Sequence, residues 1–203
     1  MRGAVLAGGA ATRFNGRPKG LLEVGGRRVL DRVIDVLSAA LAAPPLLVAN
    51  ASDAPAWRPD LRCIPDLRPG LGSLGGVYTA IAAGPDPVLA VAWDMPFLER
   101  ALLELLVRES GDWDVFLPES GSRGHGSGAV EPLCAVYGPG CRGPIERAFA
   151  RGDLRMISFH DSVRVGTLPL DRVRAFGDPE SLFFNVNDPA DLERAERVWQ
   201  QRG

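Results

Sequence analysis

The segment 4–20, AVLAGGAATRFNGRPKG, places several glycines and three basic residues after a run of small apolar residues. Glycines let backbone N–H groups approach an anion closely, and such groups form anion-binding concavities. Arg13 and Lys19 add positive charge to this segment, and Lys19 is the only lysine among the 23 Lys and Arg residues of the chain. A compact ammonium reaches between phosphate oxygens as a point charge, whereas a guanidinium is planar and bulkier. The segment therefore indicates a loop that binds a nucleotide triphosphate, with Lys19 on the phosphates.

Three other interpretations of this loop can be tested against its glycine content and the spacing of its glycines and lysine. A tight strand-to-helix turn also uses glycine, so glycine content alone does not separate it from an anion loop. A P-loop needs GxxxxGK followed by Ser or Thr, but here Gly16 and Lys19 are not adjacent and Gly20 follows the lysine. A dinucleotide-binding fingerprint needs GxGxxG and an acidic residue after the next strand, where this chain has Asn50.

Polar side chains also follow the other predicted strands. Asp94 comes directly after the apolar run VLAVAW, where a carboxylate is costly to bury unless it is paired or bound to a metal. Mg²⁺ prefers one or two carboxylates together with water and phosphates, so Asp94 is a candidate ligand; a helix cap or surface aspartate is the alternative. Asp66 is a candidate second acid or ligand contact. Asn50, Asn185 and Asn187, three of the four asparagines, end predicted strands as well.

Strand and helix patterns alternate along the chain, which is typical of a three-layer α/β fold, a mostly parallel sheet with helices on both faces. In such sheets ligands bind beyond the carboxyl ends of the strands. Asp188 is a predicted helix N-cap before Pro189. Strands are predicted at 2–7, 46–50, 62–66, 88–93, 114–118, 132–137, 163–166 and 182–186, and helices at 29–41, 73–83, 99–109, 143–151 and from 189 onward.

Composition sets the broad class. The length suits one domain, 1–203, that buries a core without staples. A net charge of −2 does not suggest a nucleic-acid binder. No apolar run is long enough to span a bilayer, and no basic region precedes the first apolar stretch, so we expect no membrane association and a cytoplasmic location.

The cysteines and histidines do not form a metal-site pattern. Cys63, Cys134 and Cys141 are odd in number, and their spacing fits neither a zinc site nor a redox pair. We expect buried or half-buried thiols. His125 and His160 lie far apart, with no cysteine or second histidine at ligand spacing, and are expected in loops or at the surface.

LAGG-x₃-R-x₅-K at 6–19 resembles the LAGGxSxRMGxxK signature of the molybdenum cofactor guanylyltransferases and related nucleotidyltransferases. GLGSLGGVYTAI (70–81), DMPFL (94–98), EPLCAVY (131–137) and FNVNDPADL (184–192) resemble further motifs of that family, in its order and spacing. Together they cover nearly the whole chain. The first motif is shared with cytidylyl- and sugar-nucleotide transferases, whereas the combination of the later ones is much more specific to the guanylyl branch.

The resemblance implies a Rossmann-like nucleotidyltransferase fold and a Mg²⁺-dependent reaction. GMP would pass from GTP to the terminal phosphate of molybdenum-molybdopterin, releasing pyrophosphate and forming the guanine dinucleotide cofactor. By match, Asp94 would bind the metal, and Asn185 or Asn187 would hold the metal or the pterin product. Lys19, Arg13 and Asp94 would be catalytic. The GTP-binding residues would be Leu6, Ala7, Gly8, Lys19, Asn50, Asp66 and Asp94.

The chain departs from the family pattern at several positions. Thr12 replaces the usual serine, Phe14-Asn15-Gly16 replaces Met-Gly, and Trp93 stands where a small residue is usual and is expected to narrow the pocket. Arg155 and the Gly-rich loop 120–128 are candidates for the pterin side; a disordered connection is the alternative for the loop. Proteins that donate or receive the cofactor are expected as transient partners. A cytidylyltransferase on the same cofactor, another small-molecule nucleotidyltransferase and a non-catalytic nucleotide-binding regulator remain as alternatives.

Overall fold

The computed structural model describes residues 1–8, 18–121 and 129–202. Strands alternate with helices as the hydrophobic pattern predicts. The strands are β1 (Arg2–Ala7), β2 (Glu23–Val24), β3 (Arg27–Arg28), β4 (Leu46–Ala49), β5 (Cys63–Ile64), β6 (Val88–Ala92), β7 (Val115–Pro118), β8 (Cys134–Tyr137) and β9 (Val165–Leu168). The helices are α1 (Val29–Leu41), α2 (Ala54–Trp57), α3 (Gly72–Ala82), α4 (Arg100–Glu109), α5 (Arg142–Ala150), α6 (Leu170–Val173), α7 (Pro179–Leu182) and α8 (Pro189–Arg202).

Seven of these strands form one sheet in the order β5-β4-β1-β6-β8-β7-β9. The pairs from β5 across to β6 are parallel, as is the pair of β7 and β9. Only β8 runs antiparallel to both of its neighbours within the described sheet. The mostly parallel sheet predicted from the sequence is confirmed, and the carboxyl ends of β5, β4, β1 and β6 meet at one edge.

Helices cover both faces of this sheet, because successive side chains of a strand point to opposite faces. In β1, Val5 and Ala7 join the hydrophobic cluster that also contains α1 and α4. Ala4 and Leu6 join the second cluster, which contains α3 and α5. The predicted three-layer arrangement is therefore confirmed. Among the described residues, no helix is long and apolar enough to cross a bilayer.

The chain first runs from β1 to the strands on one side of it, β4 and β5, and then returns to β6 on the other side of β1. Helix α1 leads from β1 to β4 on one face, and α3 leads from β5 back to β6 on the other face. The crevice between β1 and β6 is consequently the point where the strand order reverses. Ligands of open α/β sheets bind at such switch points.

The predicted strand at 182–186 is wrong. A short helix, Pro179–Leu182, ends where that strand was expected to begin, and the Asp178 side chain caps it. The segment that follows buries Phe184 and Val186 in the core. Its contact with the sheet region is a backbone hydrogen bond from the Val186 N–H to the Asp94 carbonyl oxygen, at 3.0 Å. The apolar residues signal burial correctly, but they pack against the core without joining the ladder.

Of two further predictions, one strand is shifted along the chain and one helix N-cap is confirmed. The predicted strand at 163–166 lies two residues later, as β9. The predicted N-cap is confirmed, because the Asp188 carboxylate accepts a hydrogen bond from the Asp191 N–H at 2.9 Å. That bond fixes where α8 begins, directly after the segment that carries Asn185 and Asn187.

Candidate functional site

An open cavity of about 610 Å³ lies at the carboxyl edge of the sheet. Its wall contains the residues that follow three strands: Gly8 after β1, Asn50 after β4 and Asp66 after β5. Lys19 also lines it. A smaller recess of about 70 Å³ shares several of these residues and adds Asp94, which follows β6. Residues from four strand ends therefore surround one space.

Lys19 and Asp94 form an ion pair between the ammonium and Oδ2. Asp94 is only 4 % exposed, and its Oδ1 is buried with no hydrogen-bond partner among the described residues. Lys19 also donates from Nζ to Asn187 Oδ1 at 3.0 Å. The chain's only lysine thus joins the segment after β1 to the end of β6 and to the start of α8.

Asn50 and Asp66 form a second polar pair in the cavity wall. The Asn50 Nδ2 donates to Asp66 Oδ2 at 2.7 Å, and the Asp66 backbone N–H donates to Asn50 Oδ1 at 2.8 Å. The next residue, Leu67, donates its N–H to Thr79 Oγ1 at 3.0 Å, which ties this segment to α3. Both side chains are therefore oriented before any ligand binds.

The amino end of α3 contributes backbone donors that the sequence reasoning did not assign. Gly72 and Ser73 line the cavity, and the first N–H groups of a helix have no intrahelical acceptor. Gly70 and Gly72 have φ of +86° and +61°, which residues with a Cβ rarely adopt. The GLGS pattern before an apolar helix was the available signal. Such a helix end can bind an anion.

Two tryptophans also line the large cavity, Trp57 and Trp93. Trp93 is 3 % exposed and stacks on Trp57, with ring centroids 5.3 Å apart and planes inclined by 18°. Trp93 therefore lies in the wall and not across the opening, and the large cavity remains. The sequence reasoning did not predict a role for Trp57, which lies in the four-residue helix α2.

The other candidate residues differ in position. Asn187 reaches Lys19, whereas Asn185 donates its Nδ2 to the Phe183 carbonyl oxygen at 3.0 Å within its own segment. Arg155 is exposed and pairs with Asp153. Arg13 and most of the 120–128 loop, residues 122–128, lie outside the described residues. Leu6 and Ala7, the last residues of β1, line the small recess and the large cavity respectively.

The cysteines are free thiols, as predicted: Cys63 is half-buried, and Cys134 and Cys141 are buried. His160 lies in a short turn, as expected for a loop residue, but it is partly buried and its Nε2 has no partner in the described chain. His125 lies outside the described residues. Within residues 1–8, 18–121 and 129–202, no three His, Cys, Asp or Glu side chains are grouped for metal binding.

Comparison with known proteins gives a consistent family. A model described as MobA-like NTP transferase domain matches residues 3–164. A probable molybdenum cofactor guanylyltransferase of Pelotomaculum thermopropionicum is 36% identical over an alignment of 207 positions, which covers 97% of this chain and 97% of the relative. A molybdenum cofactor guanylyltransferase of Desulfosudis oleivorans is 34% identical over 97% of this chain and 94% of the relative.

A solved structure extends the similarity to three dimensions. The crystal structure of molybdopterin-guanine dinucleotide biosynthesis protein A from Archaeoglobus fulgidus superposes with a TM-score of 0.81 at 27% sequence identity. The match covers 99% of this chain and 100% of that one. The similarity therefore includes the strand ends that surround the cavity.

Proposed function

Since the chain belongs to the MobA-like NTP transferase family, we propose that it transfers GMP from GTP to the terminal phosphate of molybdenum-molybdopterin. The products are pyrophosphate and the guanine dinucleotide form of the cofactor. Relatives named molybdenum cofactor guanylyltransferase, at 36% and 34% identity over nearly the full length, support the substrates. The observation that carries the proposal is the Lys19–Asp94 pair beside the cavity at the sheet's switch point.

The reaction needs no side-chain nucleophile. A phosphate monoester oxygen of molybdopterin forms a bond to the α-phosphorus of GTP, while the bond from that phosphorus to the bridging oxygen breaks and pyrophosphate leaves. The attacking monoester is already largely a dianion at neutral pH, because its second pKa is about 6. The difficulty is to bring two anions together, so the protein acts by positioning and charge neutralisation.

Lys19 supplies the positive charge that this mechanism requires. Its ammonium lies in the cavity wall, 3.0 Å from Asn187 Oδ1 and paired with Asp94. When a triphosphate binds, the ammonium neutralises its β- and γ-oxygens, and it stabilises the charge that grows on the departing pyrophosphate. The N–H groups at Gly72 and Ser73 provide neutral donors for the same anion. Arg13, from the preceding loop, adds a second positive charge in this proposal.

Mg²⁺ fits the residues at this site. Asp94 Oδ1 is a buried carboxylate oxygen without a described partner, as a metal ligand would be before the ion binds. The described residues contain no group of three or more His, Cys, Asp or Glu side chains, which suits an ion whose other ligands are water and phosphate. Asp94 would hold the ion, with Asn187 close by. When bound, the ion supplies Lewis-acid stabilisation of phosphate charge.

The Asn50–Asp66 pair is the proposed base-recognition element. Guanine presents the N1–H and the 2-amino group as adjacent donors, and one carboxylate accepts from both in a bidentate contact. Asp66 lines the cavity with its carboxylate already oriented by Asn50. Cytosine and adenine lack that pair of adjacent donors, so this carboxylate favours GTP.

The test is a calorimetric panel of GTP, CTP, ATP and UTP with Mg²⁺, followed by turnover with molybdopterin. Wild type is expected to bind GTP selectively. Asp94→Asn and Lys19→Ala are expected to fold and to lose turnover by a factor on the order of 10²–10³, as loss of one such charged contact does. Arg172→Ala is the control, because it removes one positive charge that pairs with Glu109 outside the cavity. Wild-type turnover in either site variant, or selectivity for CTP, would overturn the assignment.

A further inference from the structure

Trp93 makes a close contact with the segment that carries the lysine. A Cβ added at Gly20 would lie 2.3 Å from Trp93 Cε3 and 2.7 Å from Cδ2, so only glycine fits against this indole. Gly20 is buried in the short turn Lys19–Leu21. The ring of Trp93 therefore packs directly on the backbone that immediately follows Lys19.

The same two segments meet a second time through charge. Lys19 precedes Gly20, and Asp94 follows Trp93, so the ion pair and the indole–glycine contact join neighbouring residues. An apolar contact fixes the backbone and a polar contact holds the side-chain tip. A lysine side chain is a long, flexible stem, and its ammonium is localised only if both ends are restrained.

The indole is itself held from behind. Trp57 stacks on Trp93, and the Trp57 Nε1 donates to Asp53 Oδ2 at 3.0 Å. The Trp57 carbonyl oxygen accepts from Arg28 Nη2 at 3.2 Å. These contacts leave Trp93 little freedom to move away from Gly20.

We infer that Trp93 is a positioning residue: by packing on Gly20 it places Lys19 so that the ammonium reaches the phosphates of a nucleotide triphosphate. The inference rests on the proposed function for the identity of that anion. A residue that only filled the core would stabilise the protein without affecting the lysine in particular. The positioning role and the core-filling role differ in what happens to Lys19 when a smaller side chain replaces the indole.

Lys19 can be followed directly, because it is the only lysine in the chain. Acylation of its ε-amine, quantified by peptide mapping so that the Met1 amine is counted separately, reports how firmly it is held. Trp93→Ala is expected to raise the labelling rate several-fold and to weaken GTP binding about tenfold. Guanosine, which has no phosphates, should bind as before. Trp93→Phe keeps a flat ring and should restore most of the GTP affinity.

Enlarging residue 20 and shrinking residue 93, separately and together, tests the contact between Gly20 and Trp93. Gly20→Ala should weaken GTP binding strongly beside Trp93, but only slightly in the Trp93→Ala background, where the space is free. Trp113 and Gly166 make a matched control pair: a Cβ at Gly166 would lie 2.4 Å from Trp113 Cδ2, and neither lines the cavity. Trp113→Phe should leave both the labelling rate and the GTP affinity unchanged.

The outcomes separate this inference from the proposed function. Failure of the wild type to bind any nucleotide would overturn the proposed function and, with it, this role. GTP binding by the wild type, with equal losses for GTP and guanosine and unchanged labelling in folded Trp93 variants, would overturn the positioning role alone. If Trp93→Ala does not fold, the labelling rate of Lys19 and the affinities for GTP and guanosine are compared between Trp93→Phe and Gly20→Ala instead.

Discussion

Asn50 and Asp66 hold each other through two hydrogen bonds, one at 2.7 Å between the side chains and one at 2.8 Å from the Asp66 backbone N–H. They follow adjacent parallel strands, β4 and β5. The amide of Asn50 uses a donor and its acceptor within this pair. The carboxylate of Asp66 is therefore presented to the cavity in a fixed orientation.

Asp66→Asn should weaken GTP binding about tenfold to a hundredfold, because a hydrogen bond to a charged group is worth about 1.5–3 kcal/mol. Inosine triphosphate lacks the 2-amino group, so the same variant should lose less affinity for it. Asn50→Ala keeps the charge but removes the restraint, and should give an intermediate loss. Calorimetry with both nucleotides checks this. Equal losses for GTP and inosine triphosphate would show that Asp66 does not read the guanine edge.

Much of the fold could be predicted because each buried strand is marked in the sequence by an apolar run and by the polar residue that follows the run. In β6, Val88 and Ala90 face one cluster while Leu89 and Val91 face the other, so the run is apolar throughout. The polar residue after each such run marks the carboxyl end. For this reason the sequence alone places Asp94 and the residues after the other strands at the carboxyl edge of the sheet.

The features that could not be predicted depend on contacts between distant segments. LFFNV reads as a strand, but apolar character specifies burial and not a sheet partner. Trp57 lies in a helix too short to leave a periodic signal, and its stacking on Trp93 depends on where α2 lies relative to the residue that follows β6. The contact of Lys19 with Asn187 likewise requires the last helix to begin beside the turn Lys19–Leu21.

Truncation of Asn187 should affect activity, whereas truncation of Asn185 should affect stability, although the sequence pattern does not distinguish the two residues. Asn187→Ala removes an acceptor of the Lys19 ammonium and should lower catalytic efficiency about fivefold, corresponding to about 1 kcal/mol. Asn185→Ala removes a bond to the Phe183 carbonyl oxygen and should lower the free energy of unfolding with little effect on GTP affinity. Steady-state kinetics, calorimetry with GTP and denaturant unfolding of both variants check this, and the reverse pattern would contradict it.

The three thiols should differ sharply in reactivity. Burial raises the pKa of Cys141 to about 12 and that of Cys134 still further, while the half-buried Cys63 has a smaller rise in pKa. Only the thiolate attacks a disulfide reagent. At pH 8 we expect Cys63 alone to react with DTNB in the folded protein and all three to react in guanidinium chloride. Cys63→Ser should abolish the native reaction; a remaining fast thiol would contradict the burial of the other two.

His160 should make the protein less stable as the pH falls. Burial lowers the pKa of its imidazole below the ordinary 6.5, and the nearby carboxylate of Asp161 opposes this only in part. Below about pH 6.5 the unfolded chain takes up a proton that the folded protein does not, so the free energy of unfolding decreases until the pH passes the folded pKa.

Replacing His160 by phenylalanine should flatten that dependence between pH 7 and 5. Phenylalanine can keep the edge-on contact that His160 makes with Phe159, at a centroid distance of 5.0 Å, while removing the titrating group. Each unit by which the pKa is lowered corresponds to about 1.4 kcal/mol at acidic pH. Urea unfolding of both proteins at pH 5, 6, 7 and 8 measures the difference. Carboxylates contribute equally to the two proteins, so identical pH profiles would show that His160 titrates normally in the fold.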